Sequence, residues 1–284
     1  MTRKSGKKKI YATPTMTTSK DDKWVIQIID TLLKPIEFSG EHRLEQWEKG
    51  WGENLDSGSI IPGYFGKHPV IRIDGEFVET PSDFTRSERA TFEHQSLVNL
   101  EKEVFTKYLK DAKTVMEFGC GTGHNLLTLQ KINPKATLIG FDWAHSAVQN
   151  VTKLGFAGFQ FDMFKPNLDF GQEVNFGSLG TSILTVAALE QLGNKFYEFV
   201  NFMLDLKPDI CVHLEPIEEL MDESNLLDNL QLKYMKKRHY LTGFLTHLKQ
   251  LEDDGLIEII EASRNGVGSL FIEGYSLVVW KPKS

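Results

Sequence analysis

The sequence predicts an α/β fold: a seven-stranded, mostly parallel sheet with helices on both faces and an antiparallel last strand, plus an N-terminal aromatic and glycine-rich cap. Three observations carry this prediction. From Thr114 onward, short apolar runs alternate with amphipathic stretches, as strands buried on both faces and joined by helical crossovers do. The first of these runs passes through three closely spaced glycines straight into a helical stretch. The last two runs are joined only by Ser263–Gly274, with Asn265-Gly266 and Gly268 inside it. That is too short for a right-handed crossover, so an antiparallel pair is expected there.

The elements follow in order. Lys23–Leu33 carries Trp24, Ile28, Ile29, Leu32 and Leu33 at helical spacing and ends before Pro35. Leu44–Pro81 is rich in aromatics and glycine (Trp47, Trp51, Tyr64, Phe65) and holds one hairpin, Val70–Ile73 and Glu76–Val78 around Asp74-Gly75. It has too few apolar runs for a core of its own and reads as a cap. Phe84–Leu109 is helical in pattern. Strands are expected at Thr114–Phe118, Ala136–Phe141, Gly158–Phe161, Thr181–Val186, Ile210–Leu214, Ile257–Ala262 and Tyr275–Trp280. Helices are expected at Asn125–Ile132, Ser146–Leu154, Lys195–Asp205 and Leu226–Asp253. This divides the chain into a disordered tail over 1–20, a cap over 21–96 and a ligand-binding α/β domain over 97–284.

The bulk numbers narrow the function. With 284 residues, 40% of them hydrophobic and 25% charged, the chain can bury one large core with an appendage. No run approaches the roughly 20 apolar residues of a membrane-spanning helix, and the polar, basic N-terminus lacks the apolar middle of a secretory signal. Cytoplasmic residence is the expectation. Cys120 and Cys211 are too few for a disulfide framework or a zinc site and read as packed core. The net charge of −7 argues against a generic nucleic-acid binder. The exception is the run Arg3, Lys4, Lys7, Lys8, Lys9, read as a solvated tail.

The strongest motif is Val115-Met-Glu-Phe-Gly-Cys-Gly-Thr-Gly-His-Asn125. Gly119, Gly121 and Gly123 permit a tight turn and let backbone amides approach a ligand at a helix N-terminus. Dinucleotide enzymes use G-x-G-x-x-G at this place. Here the spacing is G-x-G-x-G, and Glu117 stands two residues before the first glycine. Asp142 follows the next strand in Ile139-Gly-Phe-Asp-Trp143, where a ribose diol is usually held; its other reading is a helix N-cap. Asp162 and Met163 follow the strand after that.

On these residues the chain, from about Leu97 to Pro282, resembles the class I S-adenosylmethionine (SAM)-dependent methyltransferases. The resemblance implies SAM as cofactor. The glycine loop and Glu117 would hold its methionine part and Asp142 its ribose, with Trp143 over the adenine, Asp162 on the adenine amino group and Met163 against the ring. The acceptor would lie beyond the ends of the fourth and fifth strands, near Glu190, His213 and Glu215. Each is a candidate base, although His213 also reads as a core residue and Glu215 as a loop anchor. Tyr64, Trp51, His239 and Arg264 are candidate substrate residues. Their other readings are packing for the cap aromatics, favoured for Trp47, and a surface role for Arg264.

Several family signatures are missing. Val186-Ala-Ala-Leu189 stands where amino-group methylases of nucleic acids carry Asn/Asp-Pro-Pro-Tyr/Phe, neither cysteine follows a proline, and no aspartate stands where the metal-dependent catechol-type enzymes place one. The expected reaction is therefore metal-independent methylation of a small-molecule or sugar-like acceptor, at oxygen in preference to nitrogen or sulfur. Competing readings are a nicotinamide-dependent oxidoreductase and a non-catalytic SAM-binding or RNA-associated regulator. Oligomeric state stays open, a homodimer through the cap included.

Overall fold

The computed structural model describes residues 21–167 and 180–283. The tail expected at 1–20 lies outside them. In chain order the elements are α1 (Asp22–Leu32), α2 (Leu44–Ser57), β1 (Val70–Ile73), β2 (Glu76–Glu79), α3 (Arg86–Tyr108), β3 (Thr114–Phe118), α4 (His124–Ile132), β4 (Thr137–Asp142), α5 (His145–Lys153) and β5 (Ala157–Gln160). There follow β6 (Thr181–Val186), α6 (Tyr197–Leu206), β7 (Ile210–Glu215), α7 (Leu226–Arg238), α8 (Phe244–Asp253), β8 (Ile257–Ser263), β9 (Gly268–Ser269) and β10 (Ser276–Pro282).

Seven strands form the main sheet in the order β5-β4-β3-β6-β7-β10-β8. The five on the β5 side run parallel, whereas β10 is antiparallel to both β7 and β8. The order reverses direction between β3 and β6, which both start their crossovers there. Ligands in such sheets sit beyond the carboxyl ends of the strands at this switch point. One face of the sheet is buried under α6 and α8 through Phe118, Phe141, Phe199, Phe244 and Trp280. The other is buried under α3 and α4 through Phe105, Leu126, Leu129 and Val212. Near-continuous apolar strands are what burial on both faces requires.

Three elements differ from the sequence expectation. Leu44–Ser57 is a helix, ended by Gly58 in the left-handed region. Its helical spacing (Leu44, Trp47, Trp51, Leu55) is present, but Gly50 and Gly52 each cost about 1 kcal/mol in a helix interior and hide it. Tertiary packing supplies the difference. The expected helix Leu226–Asp253 is broken into α7 and α8, because His239 (φ 52) and Gly243 (φ 78) are left-handed. Strand β9 joins the β1–β2 hairpin as a third strand, so the cap and the C-terminal loop share a small sheet. Helix α3 also runs unbroken across residues 96 and 97, where the cap and sheet domain were divided.

Arg264, a candidate substrate residue, is instead the node of this C-terminal region. Its Nη1 and Nη2 reach Asp228 on α7 at 2.6 and 2.9 Å, while Nη2 and Nε reach Glu273 at 2.6 and 3.0 Å. Four of its five N–H groups are spent on two carboxylates that are 4% and 3% exposed, and it lines neither cavity of the candidate site. Removing one partner of a buried ion pair strands the other. Arg264→Ala is expected to lower stability by about 3 kcal/mol in urea unfolding; a loss below about 1 kcal/mol would place it with exposed pairs.

Candidate active site

Strand β3 is buried throughout its last four residues and delivers Gly119 and Gly121 to the sheet's upper edge. Gly119 has φ +80, and a Cβ there would stand 2.3 Å from the Cβ of Ala188. Gly121 has φ +50, and a Cβ there would meet the Trp51 indole at 2.9 Å. Side chains are thus refused at both positions, by backbone conformation and by neighbours. Asp142, at the end of β4, ties this loop down: Oδ2 accepts from Gly121 N at 3.0 Å and Oδ1 from Ala144 N at 2.9 Å. Burial pushes its carboxyl up to about 6 against those hydrogen bonds.

Between the loop and the strand ends lies a cavity with about 470 Å³ of empty space. Its walls are Gly119, Asp142, Trp143, Phe161, Met163, Phe164, Ala187, Ala188, Gln191 and Leu192, and Trp47 and Trp51 form its roof. The two roof indoles stack at 5.3 Å, and Trp143 stacks on Phe164 at 5.6 Å. The roof belongs to α2, which is bolted to α5. Glu48 accepts from His145 N and Ser146 N at 2.7 and 3.0 Å, capping a helix that has no side-chain cap of its own. Asn150 donates to the Trp51 carbonyl at 2.9 Å, and Thr122 to the Ile60 carbonyl at 2.7 Å.

A second cavity, with about 1190 Å³ of empty space, opens on the far side of Ala187 and Trp47, which line both. Among its walls are Arg43, Tyr64, Glu93, Glu190, Tyr234, Arg238, Tyr240 and Tyr275. Burial pushes the Glu190 carboxyl up to about 7, opposed chiefly by the charge of Arg238.

The candidate bases part company here. His213 is wholly buried. The Trp280 indole, which can only donate, gives its N–H to Nε2 at 2.9 Å, so Nδ1 carries the proton and faces Thr185 Oγ1 at 2.9 Å. Burial drives the ring down to about 3. Both nitrogens are engaged, so His213 is a core residue and not a base. Glu215 is equally buried: Oε1 accepts from Ala188 N and Leu189 N at 3.0 Å, and Oε2 from Glu190 N at 3.4 Å. It anchors the turn after β6 instead of meeting an acceptor. Alternation places them on one strand face, where Phe244 of α8 and Trp280 of β10 cover His213 and the turn after β6 covers Glu215. Glu190 alone of the three lines a cavity.

The other candidates are placed as follows. Met163 and Trp143 line the first cavity. Asp162 turns back on its own loop, its Oδ1 accepting from Phe164 N at 2.9 Å. Glu117 lies behind the glycine loop, wholly buried; Oε1 accepts from Asn125 at 2.5 Å, and Oε2 has no protein partner. Burial raises its carboxyl well above the ordinary range. Gly123 faces Val151 and Leu154, away from the cavity. Tyr64 lines the second cavity, Trp51 only the first, and His239 a separate groove with Phe38 and Lys195. Among the wall residues that sequence reasoning missed as site residues are Trp47, Ala187 and Arg43. Of these three, only Ala187 had a positional signal, at the end of the fourth parallel strand.

The order of the main sheet, with its single antiparallel strand inserted beside the last parallel one, settles the architecture. The fold is that of the class I methyltransferases. No family model matches the sequence, and no curated protein matches it. Solved structures of methyltransferases are similar to the chain at low identity. The methyltransferase domain of bacterial CtHen1 is 17% identical, covering 68% of this chain and 100% of that one at TM-score 0.47. Magnesium protoporphyrin IX methyltransferase from Synechocystis with bound S-adenosylhomocysteine (SAH) is 12% identical, covering 73% and 90% at 0.48. The plantazolicin methyltransferase BpumL in complex with SAH is 13% identical, covering 92% and 99% at 0.46. At such distances what this chain binds is read from its own residues. Among the described residues no helix is long and apolar enough to cross a membrane.

One titration follows from the Glu215 strap. Its carboxyl is held at about 8 in the fold against an ordinary 4.5, by burial. A raised folded value stabilises the protein fully below the ordinary value and is lost as pH rises through the folded one. Stability is therefore expected to decline between pH 4.5 and 8. Glu215→Gln, which keeps an oxygen for the backbone donors, should flatten that decline in chemical denaturation across the same range. An unchanged slope would refute the assignment.

Proposed function

We propose that the chain is a SAM-dependent methyltransferase acting without a metal ion on an oxygen of a small polar acceptor, with Glu190 as general base. The observation that carries this reading is the shared wall: Ala187 and Trp47 separate a glycine-loop cavity from a larger one that holds an accessible carboxyl group. The glycine-loop cavity is walled by Gly119, Asp142, Trp143, Met163 and Phe164. Its chemistry fits the cofactor: Asp142 for ribose hydroxyls and the Trp143, Met163 and Phe164 wall for a flat base.

When bound, SAM supplies an electrophilic methyl group on a sulfonium, the carbon–sulfur bond breaking with both electrons going to sulfur. The protein's part is alignment and proton removal. Trp47 and Trp51 roof the site and exclude water. The Ala187 turn sets the edge across which the acceptor oxygen approaches, and such alignment supplies much of the rate of a displacement. Glu190 takes the proton that the acceptor hydroxyl gives up. No carboxylate replaces Ala187 or Ala188 at the β6 end, in keeping with proton removal by a side chain in place of a metal.

Calorimetry with SAM, SAH and NADH tests the class. Micromolar binding of both sulfur compounds and none of NADH is expected. Gly119→Val and Asp142→Ala should weaken SAM binding at least about tenfold while circular dichroism stays native; retained affinity in both would overturn the site. For the base, turnover on an accepted substrate should rise with pH through about 7 as Glu190 loses its proton. Glu190→Gln should cost about a hundredfold or more in kcat and remove that limb, and a mutant profile that keeps it would assign the base elsewhere.

A further inference from the structure

We infer that the second cavity binds an anionic group, a carboxylate or phosphate on a flat apolar body, seated between Arg43 and Arg238. The identification of that ligand as the methyl acceptor rests on the methyltransferase reading; the anion site itself does not.

The two guanidiniums reach the same wall from distant parts of the chain. Arg43 ends the short turn Glu41–Arg43 before α2 and is 7% exposed. Arg238 is the last residue of α7. Their hydrogen bonds go to neutral groups. Arg43 Nε donates to Gln46 Oε1 at 2.9 Å and Nη1 to Gln191 Oε1 at 3.0 Å. Arg238 Nη1 donates to the Glu37 carbonyl at 2.5 Å and Nη2 to the Tyr240 hydroxyl at 3.2 Å. Arg238 Nε is buried and has no partner. Among the described residues no carboxylate lies within ion-pair distance of either; the arginine that does pair is Arg264.

Placing two cations in one half-buried wall with no carboxylate in ion-pair contact is costly. Burial and the charge of Arg238 both push the Arg43 guanidinium below its usual range. Glu37, Glu93 and Glu190 share the wall, and burial pushes Glu93 and Glu190 up to about 7, so that both are only partly ionised at neutral pH. A ligand anion would repay this cost. Guanidinium forks suit carboxylate and phosphate oxygens in particular. Around the pair, Tyr64, Tyr234, Phe271 and Tyr275 give the wall an aromatic lining, suited to a flat body. Glu190, on the same wall, then faces the part of the ligand nearest Ala187.

Calorimetry on the full chain tests this, with and without SAH, using para-hydroxybenzoate, its neutral counterpart para-hydroxybenzyl alcohol, and inorganic phosphate. The carboxylate is expected to bind at least about tenfold tighter than the alcohol. Arg43→Gln and Arg238→Gln should each remove that advantage, leaving alcohol and SAH affinities unchanged. Displacement of hydroxybenzoate by phosphate at lower concentration than the carboxylate itself would assign the anion as phosphate; the reverse assigns a carboxylate. Equal binding of carboxylate and alcohol by the wild type overturns the inference, as does no binding of hydroxybenzoate or phosphate, or an advantage that survives both substitutions. The wild-type comparison decides the matter even where a variant fails to fold. Absence of SAH binding would instead overturn the methyltransferase reading, and the anion comparison remains readable in the protein alone.

Discussion

The turn that follows β6 holds the two cavities apart and carries a residue of each, and one buried carboxyl group holds the turn. Ala187 adopts φ 48, a conformation that costs a side-chain-bearing residue about 1–2 kcal/mol. Glu215, from the neighbouring strand, accepts the N–H groups of the next three residues, each worth about 1 kcal/mol net. The sum outweighs the strain. Loss of that strap would release Ala188 from Gly119, Glu190 from the second cavity and Gln191 from Arg43 together. Glu215 therefore acts as a positioning residue, through the turn and without touching any reactant.

The roof obeys the same logic from the opposite side. Helix α2 has two interior glycines and little helical propensity of its own, yet it lies across the glycine loop because α5 needs a cap that it lacks. Glu48 provides that cap from a position nearly a hundred residues earlier in the chain. Two deficits, a weak helix and an uncapped one, are resolved by one contact. Its consequence is that Trp47 and Trp51 stand fixed over the cavity, so the cap is a wall of the site and not a separate module.

The polar groups of the molecule divide by how they are satisfied. His213, Glu215 and Arg264 are saturated by protein partners and serve the architecture. Glu117 Oε2, behind the glycine loop, and Nε of Arg238, a residue of the second cavity's wall, are buried and unsatisfied. Buried polar atoms without partners are costly, and both carboxyl oxygens of Glu101 share that state.

Every main-sheet strand was legible in the residues, the central ones because strands buried on both faces must be apolar throughout and the edge strand β8 by its alternation, and so was the antiparallel end, because Ser263–Gly274 is too short to cross over. The glycine loop and Asp142 were legible for a related reason: backbone conformation and close approach leave few residue choices. The bases were not. Alternation along β7 correctly put His213 and Glu215 on one face, but which face meets a cavity depends on what packs there, and α8 and Trp280 come from later in the chain. Helix α2 was hidden by propensity, and the Arg43–Arg238 pair by a separation of nearly two hundred residues. Local sequence thus determined the strands and the glycine loop, where chemistry is set by backbone geometry within a few residues. The second cavity was decided by tertiary structure alone, since its charges meet only when α2, α7 and the β6 turn are packed together.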